Sequence, residues 1–360
     1  MDHSKSLLAS VDLLKQFDEQ IGSYDSFCQT TADLIKRLLA AKKITVHSIS
    51  YRCKERPSFE RKIIKKGRYK SLSDITDLAG IRIITHYSDD VDVIASLIEN
   101  EFEIDKANSI DKRVVLDPDR FGYLSLHYVA SLKSARIKLQ EYANYSNMKL
   151  EIQIRSILQH TWAEIEHDIG YKSEVDVPGP IKRKFSRLAG LLELADQEFI
   201  SIRKEIVRYA KNLDKQMSGA IKNVGLDAIS YEKFITKNPG YIKLDAEVRE
   251  ACGFTLGEYH DDSRAIKRLA SLGVTTVDKL SFLLKEYKED ILRMGRRVSS
   301  ELPDEIDEST DVAPGIAAFY LCHVLAAMQD EQFIDSYLAD NSWGDDSSSY
   351  EFRNILVGFF

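Results

Sequence analysis

Only four cysteines occur in 360 residues, Cys28, Cys53, Cys252 and Cys322, and none stands in a CxxC pair. Such spacing supports neither a zinc site nor a disulfide framework, so the thiols read as reduced bystanders. Long apolar runs are also missing. No stretch approaches the roughly 18 residues that a membrane span needs, and the opening MDHSKSLLASVDLLKQFDEQ has no cleavable apolar core. The expectation is a cytoplasmic chain with no membrane partner. Neither a GxxxxGK[ST] loop nor a GxGxxG turn is present, so P-loop and protein-kinase architectures are unsupported, and any phosphate must be gripped by side chains. A general excess of positive charge is absent too: the formal net charge is −7, which argues against a nucleic-acid coat.

What is present is an ordinary globular composition, 44% hydrophobic and 30% charged, long enough for two domains. The basic residues are unevenly spread. Arg52, Lys54, Arg56, Arg61, Lys62, Lys65, Lys66, Arg68 and Lys70 face only Glu55 and Glu60, a local charge of +7. Two readings are open: a solvated helix face, or one wall of a cleft that draws in a nucleoside triphosphate or RNA.

Helical spacing marks residues 5–19 and 25–41. ITVHSISYRCK at 44–54 looks like a strand, and Pro57 opens a short helix that Gly67 ends. LAGIRIITH at 78–86 reads as a buried strand, followed by a helix from about 89 to 102. Further strands are expected at KRVVL (112–116), LSLHYVASL (124–132) and KLEIQIRS (149–156), then a long helical region from about 157 to 217 broken by VPGP. This is an α+β pattern, a mixed β-sheet flanked by helices. Beyond about 220 the runs RAIKRLASLG, TTVDKLSFLLKEYKEDILRMG and GIAAFYLCHVLAAMQDEQFIDSYLAD give a mostly helical C-terminal domain. An acidic linker from Glu301 to Asp311 crosses it, and a polar tail ends in ILVGFF, a candidate mobile arm. The expected division is N-terminal helices at 1–43, a core domain at 44–217 and a helical accessory or regulatory domain at 218–360.

Two strands carry polar groups on one face. In GYLSLH, Tyr123, Ser125 and His127 alternate with Leu124 and Leu126; in LEIQIRS, Glu151, Gln153 and Arg155 alternate with Leu150, Ile152 and Ile154. Arg82, between isoleucines, needs a carboxylate or a bound phosphate as partner. Asp77 stands at the mouth of the same strand. Two carboxylates, several cations and an aromatic ring are sufficient for phosphoryl-type transfer: carboxylates hold Mg²⁺, cations neutralise phosphate, and a ring stacks on a base.

Taken in order, Tyr51-Arg52-Cys53-Lys54, Ser58 and Lys62, DLAGIRII, FGYLSLH, EIQIRS and HTWAEIEHDIGYK resemble the synthetase domain of RelA/SpoT-type alarmone (ppGpp) synthetases, of the small single-synthetase class. The resemblance covers about residues 44–205. It implies a nucleotidyltransferase-like synthetase domain acting as a Mg²⁺-dependent GTP pyrophosphokinase, in which the 3′-hydroxyl of GDP or GTP attacks the β-phosphorus of ATP and AMP leaves. Carried over by residue, Arg52, Lys54, Ser58, Lys62, Arg82 and Arg155 would bind ATP, and Asp77 and Glu151 would hold the metal. Glu151, supported by Gln153, would also orient or deprotonate the acceptor hydroxyl. Tyr123 would stack on the acceptor base, with Ser125 and His127 on the same acceptor-binding face.

Many members of that family have Lys-Pro-Asn before the Gly and an Arg or Gln after the Tyr, whereas this chain has Asp119-Arg120-Phe121 and Leu124. The acceptor is therefore open. The resemblance also admits a toxic relative that modifies the 3′ end of tRNA or adenine nucleotides, restrained by an antitoxin partner, and a homo-oligomer. A catalytically silent nucleotide sensor is a rival from another class, opposed by the retention of both Asp77 and Glu151. His167-Asp168 spells the HD pair of a metal-dependent hydrolase, but the 43 residues before Ile44 are too few to hold that domain. The expected role of Glu164, Glu166 and His167 is packing and salt bridges behind the active site.

Overall fold

The structure is a computed structural model that describes residues 2–66, 69, 71–115, 125–171, 178–217, 223–259, 263–302, 311–341 and 347–360. The chain forms two compact units, Met1–Lys204 and Glu205–Phe360. In the first, α1 (Asp2–Ala41) precedes β1 (Ser48–Cys53), α2 (Arg56–Lys66), β2 (Ala79–Thr85), α3 (Asp90–Glu101), β3 (Phe102–Ile104) and β4 (Ile110–Asp111). A helical turn α4 (Lys112–Val115), β5 (Leu126–Leu132), a second turn α5 (Ser134–Ile137), β6 (Leu150–Ser156), α6 (Ile157–Tyr171) and α7 (Gly179–Met217) complete it, and α7 runs past the boundary between the units.

The sheet order is β1-β2-β6-β5-β3, with β4 also paired to β5. In this sheet, among the described residues, only β2 and β6 pair in parallel, and β1 and β5 flank them antiparallel. Because side chains alternate, one face presents Ile81, Ile83, Ile152, Ile154, Leu126 and Tyr128, all buried. α1 and α3 cover that face, sharing one core with it through Phe27, Ile35, Ile94 and Ile98. The opposite face carries Arg82, Gln153 and His127 in one row across three strands.

Two expected helices at 5–19 and 25–41 are one. Leu13, Phe17, Tyr24, Cys28, Thr31 and Ile35 form a continuous buried stripe through Gly22, so packing carries the helix across the residue that would otherwise break it. KRVVL is not a strand, at least over its described part: Lys112–Val115 is a helical turn. Asp111 accepts from the Arg113 main-chain N–H at 2.9 Å, an Asx-type bond that curls the chain out of the sheet. Leu116, the last residue of that run, and Tyr123 of GYLSLH lie outside the described residues. Cys28 and Cys53, far apart in sequence, lie against each other beside the Gly80 carbonyl; no disulfide forms.

The second unit comprises α8 (Ala228–Lys237), α9 (Pro239–Cys252), β7 (Thr255–Leu256), α10 (Ser263–Ser271), α11 (Val277–Glu286) and α12 (Lys288–Glu301). β8 (Asp311–Val312), α13 (Ile316–Ala327), α14 (Glu331–Asp340) and α15 (Ser347–Val357) follow. It is mostly helical, as its spacing predicts. The last two runs divide, α11 from α12 at Tyr287 and α13 from α14 before Asp330, whose side chain caps α14 through the Phe333 N–H. Asp245 is its buried polar hub, accepting from Tyr241 Oη, from the N–H groups of Gly315 and Ala317 and from Arg249. The tail is not an arm: Ile355, Leu356 and Phe359 are buried in this unit's core. Most of the acidic linker, 303–310, lies outside the described residues. Among the described residues no helix is long and apolar enough to cross a membrane.

Gly295 permits the close approach of α12 to its neighbours. A Cβ there would stand 2.7 Å from the buried Cys252 Sγ and 3.3 Å from the Tyr320 ring. In an open helix Gly→Ala would gain about 1 kcal/mol of propensity, but overpacking a tight core costs about 1–3 kcal/mol. Gly295→Ala should therefore lower the denaturant midpoint of the C-terminal unit, followed by far-UV circular dichroism; a raised midpoint would contradict this packing.

Candidate active site

The polar face of the sheet is built by register. Arg82 of β2 lies opposite Gln153 of β6, and Gln153 opposite His127 of β5; Gly80 lies opposite Glu151 and, on its other side, Arg52 of β1. Both oxygens of Glu151 are held: His127 Nδ1–H donates to Oε1 at 2.7 Å and Gln153 Nε2 to Oε2 at 3.2 Å. Burial opposes ionisation of Glu151, yet the His127 bond and its charge outweigh it, so the carboxyl sits below its ordinary pKa despite the nearby Asp77.

Asp77, just before β2, is clamped between two ammonium groups. Lys62 of α2 lies 2.6 Å from Oδ1 and Lys54, one residue past β1, donates to Oδ2 at 2.9 Å. The Lys54 N–H bonds the Leu78 carbonyl, which carries the β1–β2 pairing up to the site. Burial again pushes the carboxyl up, and the two lysines more than reverse it. Two residues of the basic run are thus committed to one carboxylate. Of the others, Arg56 pairs with Asp18 and Arg61 donates to Ser58 Oγ at 3.2 Å.

α6 crosses the same face. Its His160, Glu164 and His167 fall at i, i+4 and i+7, one helical stripe. Glu164 Oε1 takes Arg82 at 3.0 Å and Arg155 at 3.2 Å, with His160 Nδ1 at 3.6 Å. The partner that Arg82 needs is therefore a carboxylate of the chain itself. Burial and the Arg155 charge hold His160 below the usual imidazole pKa.

These groups surround an open cleft of about 440 Å³, lined among others by Arg52, Lys54, Ser58, Arg61, Asp77, Arg82, Glu151, Gln153 and His167. Seven of the twelve sequence-chosen residues thus meet in one cavity. Lys62 touches it only through Asp77. Arg155, 2% exposed, lies behind it against Glu164, and His127 stands behind Glu151. Ser125 is fully buried with its hydroxyl unbonded among the described residues, and Tyr123 lies outside them. Glu164 does form the expected salt bridges, but His167 reaches the cleft wall instead of packing behind it. Arg61 and His167 also line the cleft but were not among the twelve; the basic run was the signal for the first and the α6 stripe for the second.

The implied Mg²⁺ can be tested against these donors. Asp77 and Glu151 offer hard carboxylate oxygens to one cavity, and Asp77 already binds two cationic groups. Among the described residues no group of three or more His, Cys, Asp or Glu is placed to hold a metal. A cation here would take two carboxylates from the chain and the rest of its shell from substrate phosphate and water, the usual coordination of Mg²⁺ in nucleotide sites. The residues fit.

Part of the chain is similar to known proteins. Residues 51–176 match the family model described as a region found in RelA / SpoT proteins. The chain is similar to GTP pyrophosphokinase YjbM of Bacillus subtilis (strain 168), 26% identical over 166 residues, a match covering 44% of this chain and 74% of that protein. It is 29% identical over 159 residues to GTP pyrophosphokinase YwaC of the same organism, covering 43% of this chain and 72% of the relative. Among solved structures, the small alarmone synthetase 1 from Bacillus subtilis aligns with 54% of this chain and 99% of its own, at 22% identity and a TM-score of 0.46. The matched stretch of this chain, residues 51–176, holds Arg52, Asp77, Arg82 and Glu151, and over that stretch the chain is similar to the region found in RelA / SpoT proteins.

Proposed function

We propose that the chain is an ATP-dependent pyrophosphotransferase that moves the β,γ-pyrophosphate of ATP to the 3′-hydroxyl of GDP or GTP, giving guanosine tetra- or pentaphosphate. The observation that carries the reading is Glu151, fixed by His127 and Gln153 at the floor of a cleft walled by Arg52, Arg61 and Arg82 and shared with Asp77. Two curated relatives named GTP pyrophosphokinase support it.

In this reading Arg52, Arg61 and Arg82 take the triphosphate and fix its β-phosphorus over the sheet. Lys54 and Lys62 swing from Asp77 to the arriving phosphates, which frees Asp77. Asp77 and Glu151 would hold Mg²⁺, and the ion would supply charge neutralisation for the phosphates. Glu151, kept ionised by His127, aligns the acceptor 3′-hydroxyl and accepts its proton. The new bond joins the 3′-oxygen to the β-phosphorus, the bond from that phosphorus to the α,β-bridging oxygen breaks, and AMP departs with the electron pair. Tyr123 stacks on the acceptor base, and Arg155 braces Arg82 through Glu164.

Supplying ATP labelled at the γ-phosphate with GDP, GTP and tRNA in turn should label GDP and GTP and leave tRNA unlabelled; label in tRNA alone would replace the acceptor assigned here. Tyr123→Ala should raise the KM for the guanine nucleotide about tenfold or more, in line with a stacking contribution of about 1–3 kcal/mol, with little change in the KM for ATP. Tyr123→Phe should be mild.

Asp77→Asn and Glu151→Gln should each lower kcat on the order of 100-fold or more without changing the circular dichroism of the fold, since both are nearly isosteric. An active Glu151→Gln enzyme would remove that residue from the mechanism.

Glu151 must be ionised to work, and the His127 bond is what keeps its pKa low. In His127→Gln the residual activity should therefore lose its acid limb at a higher pH than in the parent, as burial then dominates the Glu151 carboxyl. An acid limb that stays put or moves lower would show that His127 does not tune Glu151.

A further inference from the structure

A second cavity, of about 330 Å³, lies on the other side of α6, among α3, α6 and α7. It belongs to the face of α6 that carries Leu158, Gln159 and Trp162, not the face that carries His160, Glu164 and His167. Four carboxylates line it, Asp89, Asp92, Glu193 and Asp196, against one cation, Arg113. Asp89 is engaged by Arg203, and Asp92 by Arg113, which also binds Asp111. Glu193 and Asp196 make no ion pair among the described residues.

Asp196 is the unusual member. It is 4% exposed, Ser156 Oγ donates to its Oδ2 at 2.6 Å, and its Oδ1 accepts nothing among the described residues. Burial, reinforced by Asp89, raises its pKa despite the Ser156 bond. A buried carboxylate with one unused oxygen is costly unless a cation completes it. Glu193 stands one turn earlier on the same face of α7 and at the solvent side, so the pair offers one deep and one outer anion. The rest of the wall joins the polar Ser88, Gln159 and Gln197 to an apolar strip that includes Trp162, Leu192 and Ile200. The volume is roughly ten times the ~30 Å³ share of one water, far more than a bare metal ion fills.

We propose that this cavity binds an aliphatic diamine or polyamine, one ammonium seated on Asp196, a second on Glu193, and the methylene chain laid along Trp162 and Leu192. The indole face attracts the cation as well as the methylenes. The site uses none of the cleft residues, and binding is read without ATP or acceptor, so the test does not depend on the proposed activity.

The full chain carrying Trp343→Phe keeps Trp162 as its sole tryptophan. Spermidine and putrescine are titrated against it, with KCl at matched ionic strength and MgCl₂ as controls. Spermidine should give a saturable change in Trp162 emission that KCl and MgCl₂ do not reproduce. Asp196→Asn should weaken that binding about tenfold or more, the scale of a lost charge-assisted bond, and Glu193→Gln severalfold; Glu198→Gln, on the same helix outside the cavity, should bind as the parent. Asp196→Asn should also melt no earlier than the parent without amine, because it removes a buried charge. Should Asp196→Asn fail to fold, Glu193→Gln decides alone, its side chain being exposed. No saturable change, the same change with MgCl₂, or parental affinity in the variant that decides would overturn the proposal.

Discussion

The parallel pairing of β2 with β6, which sets Arg82 beside Gln153, governs the first unit. Side chains alternate along a strand, so a slip of one residue would turn Ile81, Ile83, Ile152 and Ile154 out of the core and Glu151, Gln153 and Arg155 into it. Burial of those isoleucines against α1 and α3 holds the register, and the same register places Arg82, Gln153 and His127 in one row on the opposite face, with Glu151 and Arg155 on either side of Gln153. Core and catalytic cleft are two sides of one hydrogen-bonding pattern, and the apolar side fixes the polar one.

Charge on that face is arranged in matched sets. Glu164 gathers Arg82 and Arg155; Asp77 gathers Lys54 and Lys62; Glu151 gathers His127 and Gln153. Within these sets Arg82, Lys54 and Gln153 line the cleft, where a polyanion can exploit them by exchange. Arg82 illustrates the economy: set between isoleucines and partly exposed, it pairs with Glu164 and also lines the cavity.

The parts legible in the sequence were those with a short period. Alternation in LEIQIRS and LSLHY revealed the two faces, and Asp77, Arg82 and Glu151 followed from charges set in apolar runs. KRVVL misled because its β-branched residues have strand propensity, while the Asp111–Arg113 contact that curls the chain is a side-chain bond that propensity does not see. The long α1 was hidden by Gly22, tolerated because the buried stripe continues on both sides of it. The Cys28–Cys53 contact and the acidic cavity around Asp196 depend on elements distant in sequence, and no local pattern announces them.

What separates this account from any other use of a nucleotide cleft is the phosphorus attacked. Phosphorus NMR of ATP with GDP and the full chain reads this directly. The account predicts AMP appearing in equal amount with a new 3′-pyrophosphate resonance on the guanosine nucleotide, and neither signal with Glu151→Gln. Release of ADP or inorganic phosphate in place of AMP would contradict it.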